Sequence, residues 1–478
     1  MVHKNYWGGA WHDGGAGFID VENPTTGKVI AQQAIASVED VDAAVRAARA
    51  AVEQREWSGM RPGDRGRMVR KLGEYFTLNR MEIASELAAE SGKPLFEALI
   101  EVDGTARYFE YYGCQSDNFQ GDSIPLGDAY IDFTELEPLG ISAQIIPWNY
   151  PLEMVGRSVG AALAVGCVAI IKSPELDPLS SRHFALAAEY AGFPVGVMAV
   201  LCGEGAVAGA ALAGHPDIDQ VVFTGSVATG RSVAKAAAEN LIPCVLELGG
   251  KSAAIVRKDA DLDLLIESVR WGVFFGAGQV CSALSRVIIH EDLLLEFNER
   301  VCELVDAIEV ADASGIERES LVMGSMISPQ QRDRAANLVQ QALDEGAVML
   351  AQGKAPTQGS FYPPTVLQVK AGSSIEQTEV FGPVLCVIPY SGEDEALAIA
   401  NGTDYGLVSG VFGQDINACL YLARRLRAGQ VFINEWFAGG VETPFGGVKQ
   451  SGYGREKGRE ALFNYVATKN IAVRLRKQ

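Results

Sequence analysis

Hydrophobic and polar positions along the chain follow two regimes. Up to about residue 118, apolar residues recur at three-to-four spacing, the period of a helix with one buried face. Ser37 precedes an alanine-rich run with Val41, Val45 and Ala48 on one face, which predicts a capped helix over 38–54. Further helices are predicted over 64–79, 81–90 and 95–115, with Ser91-Gly92-Lys93-Pro94 stopping the third. Asn23-Pro24-Thr25-Thr26-Gly27 reads as a turn between two short strands. Over 120–137 the helical pattern breaks, and alternation about Ile124-Pro125-Leu126-Gly127-Asp128 predicts a β-hairpin.

From Ile141 short apolar runs alternate with helical stretches. Strands are predicted over 141–146, 167–171, 197–201, 220–223 and 244–246, with helices 154–166, 180–191, 206–213 and 230–240 between them. This is the pattern of a doubly wound parallel sheet, so the fold class is α/β. A second series follows residue 281, with strands 286–290, 384–388 and Val431-Phe432-Ile433-Asn434 and helices 293–309, 329–345 and 393–401. Two α/β domains with a cleft between them are predicted.

Such sheets bind ligands beyond the carboxyl ends of their strands. Pro147-Trp148-Asn149, Lys172, Gly203 and Thr224-Gly225-Ser226 all stand just past predicted strand ends. Gly225-Ser226 is either an amide-lined seat for a pyrophosphate or a tight strand-to-helix turn. Gly203-Glu204-Gly205-Ala206-Val207-Ala208-Gly209 has one residue too many for the usual dinucleotide fingerprint.

Between the two series lies the stretch that carries reactive groups. Glu247-Leu248-Gly249-Gly250-Lys251 opens it, and Gly278-Gln279-Val280-Cys281 closes it. Residues 261–275, with Leu262, Leu265, Ile266 and Val269 on one face, predict a helix that folds the two ends into one cleft. There a thiolate serves as nucleophile and a carboxylate activates the water that releases product. A lone cysteine is more often an inert small hydrophobe, so this assignment depends on the company Cys281 keeps.

Composition narrows the field. The chain has 478 residues, 48% of them hydrophobic and 21% charged, enough for two or three packed domains. A net charge of −20 argues against nucleic acid and anionic membrane surfaces as partners. Eight cysteines without a Cys-x-x-Cys pair and five histidines without ligand spacing predict no metal site. Scattered thiols, an N-terminus without an apolar signal core and no run long enough to span a bilayer predict a cytoplasmic protein.

Taken together, Glu247-Leu248-Gly249-Gly250-Lys251 and Gly278-Gln279-Val280-Cys281 resemble the aldehyde dehydrogenase superfamily. The resemblance continues through Pro147-Trp148-Asn149, Phe223-Thr224-Gly225-Ser226, Glu379-Val380-Phe381-Gly382-Pro383 and Pro444-Phe445-Gly446-Gly447, in the family's order, from about Asn23 to about Asn470. It implies a dinucleotide-binding domain of 1–118 and 139–246, a catalytic domain of 247–448, and an oligomerisation ribbon and arm of 119–138 and 449–478. The ribbon is expected to leave its own subunit and join a C-terminal strand near 471–475, giving a homodimer or homotetramer. The family's variant fold also lacks the glycine fingerprint.

The same resemblance implies the site. Cys281 is the nucleophile, Glu247 the base, and Asn149 with the Cys281 amide the oxyanion donors. The expected cofactor residues are Ile146, Pro147, Trp148, Lys172, Glu175, Gly205, Gly209, Phe223, Gly225, Ser226, Leu248, Gly249, Glu379 and Phe381. Glu175 accepts from a ribose 2′-hydroxyl and repels a 2′-phosphate, which favours NAD while leaving NADP open. Glu247 favours hydrolysis over transfer to coenzyme A, and the intact trio counts against a catalytically silent protein on the same fold. No histidine is placed for a Cys–His hydrolase.

The aldehyde itself is less determined. Arg157 matches the arginine of succinate-semialdehyde dehydrogenases, where many relatives have an aromatic residue. It has two readings, as an anchor for a substrate carboxylate or as the ion partner of a carboxylate of the protein, such as Glu153 one turn earlier. Phe275 departs from those enzymes, which tend to place a second arginine there. With Trp436 and Phe437 it fits an unsaturated or aromatic aldehyde, such as a semialdehyde from ring degradation, or a neutral one; each aromatic residue is also ordinary core.

Overall fold

In the computed structural model, which describes residues 2–476, two sheets hold the two α/β series. The first has eight strands, in the order Gly452–Tyr453, Cys244–Leu248, Gln220–Gly225, Ile141–Ile145, Val168–Ser173, Met198–Cys202, Asn5–Trp7 and Ala10–His12. Its five middle strands are parallel. From Ile141–Ile145 the chain winds outward through two strands, then returns to the other side with Gln220–Gly225. That reversal opens a crevice at the carboxyl ends of Ile141–Ile145 and Gln220–Gly225, where such sheets take their ligands.

The second sheet runs Val348–Gln352, Thr365–Gln368, Val384–Tyr390, Arg286–His290, Ala253–Val256, Val408–Phe412 and Gln430–Ile433. All its pairings are parallel except the first. One hydrophobic core uses residues up to Leu248 and another starts at Ala253, so the strand carrying Glu247 ends where one core gives way to the other.

The central strands are apolar on both faces because helices cover both. Every residue of Ile141–Ile145 and Val168–Ser173 is buried. Two of the polar ones are linked to each other: Gln144 Nε2 donates to Ser142 Oγ at 2.7 Å, and Ser142 bonds to Gln220. The helix Pro151–Val165 lies tight on Leu95–Gln115. A Cβ on Gly160 would come within 2.9 Å of the Tyr112 ring, so small residues set this approach.

Several elements differ from their sequence reading. The predicted helix 261–275 is α-helical only over Leu262–Val269; it widens into a π turn over Arg270–Phe274 and tightens over Phe275–Gly278. Gly276, Ala277 and Gly278 take φ of 59°, 51° and 71°, which no right-handed helix accommodates. The predicted helix 206–213 likewise opens as a wide turn over Gly205–Gly209. The predicted hairpin is a short pairing of Ser123–Ile124 with Tyr130–Pro138. Tyr130–Pro138 then pairs along its whole length with Val466–Arg474 of the same chain, a longer strand than the one expected near 471–475. None of the described helices is long and apolar enough to cross a membrane.

Candidate active site

A cavity of about 1070 Å³ lies between the sheets, lined from both. Glu247, Cys281 and Asn149 all face it, although they come from a strand, a tight turn and the loop after Ile141–Ile145. The turn before Cys281 depends on glycine. A Cβ on Gly278, at φ 71°, would lie 2.2 Å from the Gly382 carbonyl oxygen, and one on Gly250 would lie 2.5 Å from that of Cys281. Asn149 Nδ2 donates to the Gln279 carbonyl at 2.9 Å, which leaves its second N–H for another acceptor.

Glu247 is 2% exposed, and neither of its carboxylate oxygens has a hydrogen-bond partner. Burial first, and then the neighbouring Glu456, hold its pKa well above the usual carboxylate range; Arg157 and Arg455 oppose them. Both of its oxygens are left without a partner from the protein, so their hydrogen-bonding capacity is not spent on the fold. Gly446, at φ 152°, keeps the space clear, since a Cβ there would come 2.9 Å from Glu247 Oε1. Burial pushes the Cys281 thiol up to about 12, with Arg157 the main opposing charge.

Pro147, Trp148, Gly225, Ser226, Leu248, Gly249, Glu379 and Phe381 line the same cavity. Ser226 caps the helix Val227–Glu239, its hydroxyl accepting the Thr229 N–H at 3.3 Å. A Cβ on Gly225 would lie 2.6 Å from the Phe223 ring, so only glycine lets the backbone meet the cleft here. Phe381 meets Trp148 edge-on at 5.3 Å and sits at φ 57°, a strained conformation for a bulky residue. Arg334 fixes that loop by donating to the carbonyls of Val380 at 2.6 Å and Glu379 at 2.8 Å. Glu379 accepts the Gly250 N–H at 2.9 Å, and burial pushes its carboxyl up to about 7.

Ile146, Lys172, Glu175, Gly205, Gly209 and Phe223 do not line the enclosed cavity. Lys172 pairs with Glu175 at 2.8 Å, and Glu175 accepts the Gly205 N–H. These residues form a separate polar seat past the ends of Val168–Ser173 and Met198–Cys202. Phe223 and Ile146 are buried. The donors and open backbone along both stretches fit a dinucleotide.

At the other end Arg157 does pair with a carboxylate of the protein, but with Glu456 and not with Glu153. Arg157 donates through Nε to Glu456 and lies over the Phe445 ring at 4.8 Å, with Nη2 left unpartnered. Glu456, 1% exposed, is placed by paired backbone bonds of 2.7 Å with Phe445. Nothing in the local sequence marked Glu456, because its partner lies 299 residues away. Lys457 was equally silent; it lines the cavity and has no ion-pair partner among the described residues. Phe275 and Phe437 line the cleft, with Phe275 stacked on Tyr150 at 6.4 Å. Trp436 is 5% exposed, and its indole N–H donates to the Ser282 carbonyl at 3.1 Å, so it is mainly a structural wall.

Comparison with known proteins gives the family. The sequence profile described as "Aldehyde dehydrogenase family" matches residues 11–471. The chain is 37% identical to the chloroplastic betaine aldehyde dehydrogenase of Beta vulgaris, over 95% of this chain and 92% of that one. It is 38% identical to the peroxisomal aminoaldehyde dehydrogenase 1 of Pisum sativum, over 94% and 91%. A solved NAD+ complex of an aldehyde dehydrogenase from Bacillus cereus superposes with a TM-score of 0.97 at 37% identity, covering 100% of this chain and 97% of that one. With the α/β fold, the cleft and a match across nearly its whole length, the chain belongs to the aldehyde dehydrogenase family.

Proposed function

We propose that the protein oxidises an aldehyde to a carboxylic acid, with NAD as hydride acceptor and water as the second substrate. The Cys281 thiol gives up its proton to solvent as Sγ attacks the carbonyl carbon, and the oxyanion accepts from Asn149 Nδ2 and the Cys281 N–H. NAD, when bound, supplies the hydride acceptor that turns the thiohemiacetal into a thioester. Glu247 then takes a proton from water, whose oxygen attacks the thioester and frees the acid. The observation that carries this reading is Glu247 itself, buried on the cavity wall it shares with Cys281, with neither oxygen engaged by another protein group. The NAD+ complex of the Bacillus cereus relative supports the choice of cofactor.

The aldehyde we infer is a flat, unsaturated or aromatic one. Tyr150, Trp271, Phe275 and Phe437 surround the outer cleft, and the charge of Arg157 is already matched by Glu456. An acidic semialdehyde is the second reading, favoured by the free Arg157 Nη2 and by Lys457. Removing Arg157 alone would strand Glu456 in a buried site at a cost of about 3–5 kcal/mol, so the test removes both charges, as Arg157→Met with Glu456→Gln. NADH formation is measured with a neutral aromatic aldehyde and with an aliphatic aldehyde ending in a carboxylate. The expected result is a kcat/KM preference of about tenfold or more for the aromatic aldehyde, kept by the double variant. A preference for the acidic aldehyde that the double variant loses assigns Arg157 to substrate binding. No NADH with either aldehyde sinks the proposed activity.

Glu175 gives a cofactor prediction. Its carboxylate holds Lys172 at 2.8 Å in the seat proposed for the ribose. Glu175→Gln releases that ammonium and removes the charge facing a 2′-phosphate. The NAD-to-NADP ratio of kcat/KM should fall by about tenfold or more, as losing one oriented polar contact does. An unchanged ratio places the adenosine ribose elsewhere.

We infer a homodimer or homotetramer. The sheet of Ser123–Ile124, Tyr130–Pro138 and Val466–Arg474 exposes Ile131 at 52% and Val473 at 43%, apolar area suited to a second copy. All eight cysteines are unpaired, which suits a cytoplasmic location.

A further inference from the structure

The helix Leu95–Gln115 passes beneath the cavity and contributes two buried carboxylates one turn apart, Glu97 and Glu101. Glu101 is ion-paired to Lys93 at 2.5 Å, with side chains 0% and 8% exposed. Lys93 Nζ also donates to the backbone carbonyl of Asn149 at 2.9 Å and lies over the Tyr150 ring at 4.5 Å. The other oxygen of Glu101 accepts the N–H of Leu152 at 2.9 Å and that of Glu153 at 3.4 Å, fixing the start of the helix that follows Asn149. Glu97 works on the opposite wall. Its Oε2 accepts the N–H of Gly276 at 3.0 Å, at the strained turn leading to Cys281.

The two arms close into a ring. The Gly276 carbonyl accepts from the Gln279 backbone at 3.0 Å and from Gln279 Nε2 at 3.2 Å. The Gln279 carbonyl accepts from Asn149 Nδ2 at 2.9 Å, which returns the chain of bonds to the residue that Lys93 holds. Gly276 has no room for another residue, since a Cβ there would lie 2.9 Å from the Tyr150 hydroxyl. Three ionisable groups with no contact to the reacting atoms are thus kept in a buried place, where each is expensive unless paired.

We propose that Lys93, Glu97 and Glu101 are positioning residues that set the separation between the Asn149 amide and the Cys281 turn. The proposal rests on the reading of Asn149 as oxyanion donor and Cys281 as nucleophile. Burial pushes the Glu97 carboxyl up to about 8, so glutamine, a neutral acceptor of the same shape, is its conservative replacement.

The test compares Glu97→Ala, Glu97→Gln and Lys93→Met, the last also in an Asn149→Ala background. Steady-state NADH formation is measured alongside NAD affinity, and the rate at which iodoacetamide alkylates Cys281 is read by peptide mass. Glu97→Ala should lower kcat by about 100-fold, the cost of misplacing reacting groups by an ångström, with NAD affinity held within about twofold. Glu97→Gln should restore kcat to within about threefold of wild type, since it keeps the bond to Gly276. Lys93→Met should lower kcat on its own and have no further effect once Asn149 is alanine. Glu97→Ala should also speed Cys281 alkylation, because the loosened turn exposes the thiol. Equal losses from Lys93→Met in both backgrounds, or Glu97→Ala with unchanged kcat, overturn the proposal. If wild type forms no NADH, the proposed activity fails separately and the alkylation rate decides: an unchanged rate in Glu97→Ala overturns the brace as well.

Discussion

Replacing Cys281 by serine should lower NADH formation by at least about a thousandfold, the scale on which removal of a covalent nucleophile acts. Cys281 lines the cavity and is only partly exposed, so the smaller hydroxyl fits without collision. NAD affinity should stay within about twofold, because Pro147, Trp148 and Ser226 lie on other elements. Activity and equilibrium NAD titration on the same preparation check this. A serine variant that keeps a tenth of the activity would move the nucleophile to another residue.

Glu247→Gln separates the two halves of the reaction. Acylation proceeds without the base, so one equivalent of NADH should appear in a burst. Turnover should then fall by about 100-fold or more, the contribution of a positioned general base. Rapid mixing gives the burst, and intact mass after acid quench shows the acyl group on the enzyme. A linear trace at the wild-type rate would free Glu247 of this role. The wild-type pH profile carries the same signature. Glu247 works deprotonated and its pKa is raised by burial and by Glu456. The rate should therefore rise with pH through that pKa, and the rising limb should disappear in Glu247→Gln.

Much of the framework was legible in the sequence because its elements are local. The alternation from Ile141 follows from buried parallel strands, and the observed Ile141–Ile145, Val168–Ser173 and Met198–Cys202 lie within a residue or two of their predicted spans. Motifs past strand ends pointed to the cleft, since in such a sheet those positions share one edge. What stayed hidden depends on distant partners. The helix predicted over 261–275 stops at Val269, and Phe275–Gly278 turns beneath Gly382 and Tyr150, a crowding that only tertiary packing creates. Arg157 found Glu456 rather than the neighbouring Glu153 for the same reason. Within the helix predicted over 95–115 nothing singled out Glu97 and Glu101, because their partners at Gly276 and Leu152 lie across the cleft and on the facing helix.

The pairing of Tyr130–Pro138 with Val466–Arg474 sets an order of events during synthesis. Glu137 and its partner Lys469 are separated by 332 residues, so the first strand leaves the ribosome long before the second exists. Until then one edge of Tyr130–Pro138 is open and carries the apolar Ile131 outward. Open apolar edges recruit other strands. The arrival of Val466–Arg474 closes that edge and ends the period in which it can recruit another strand.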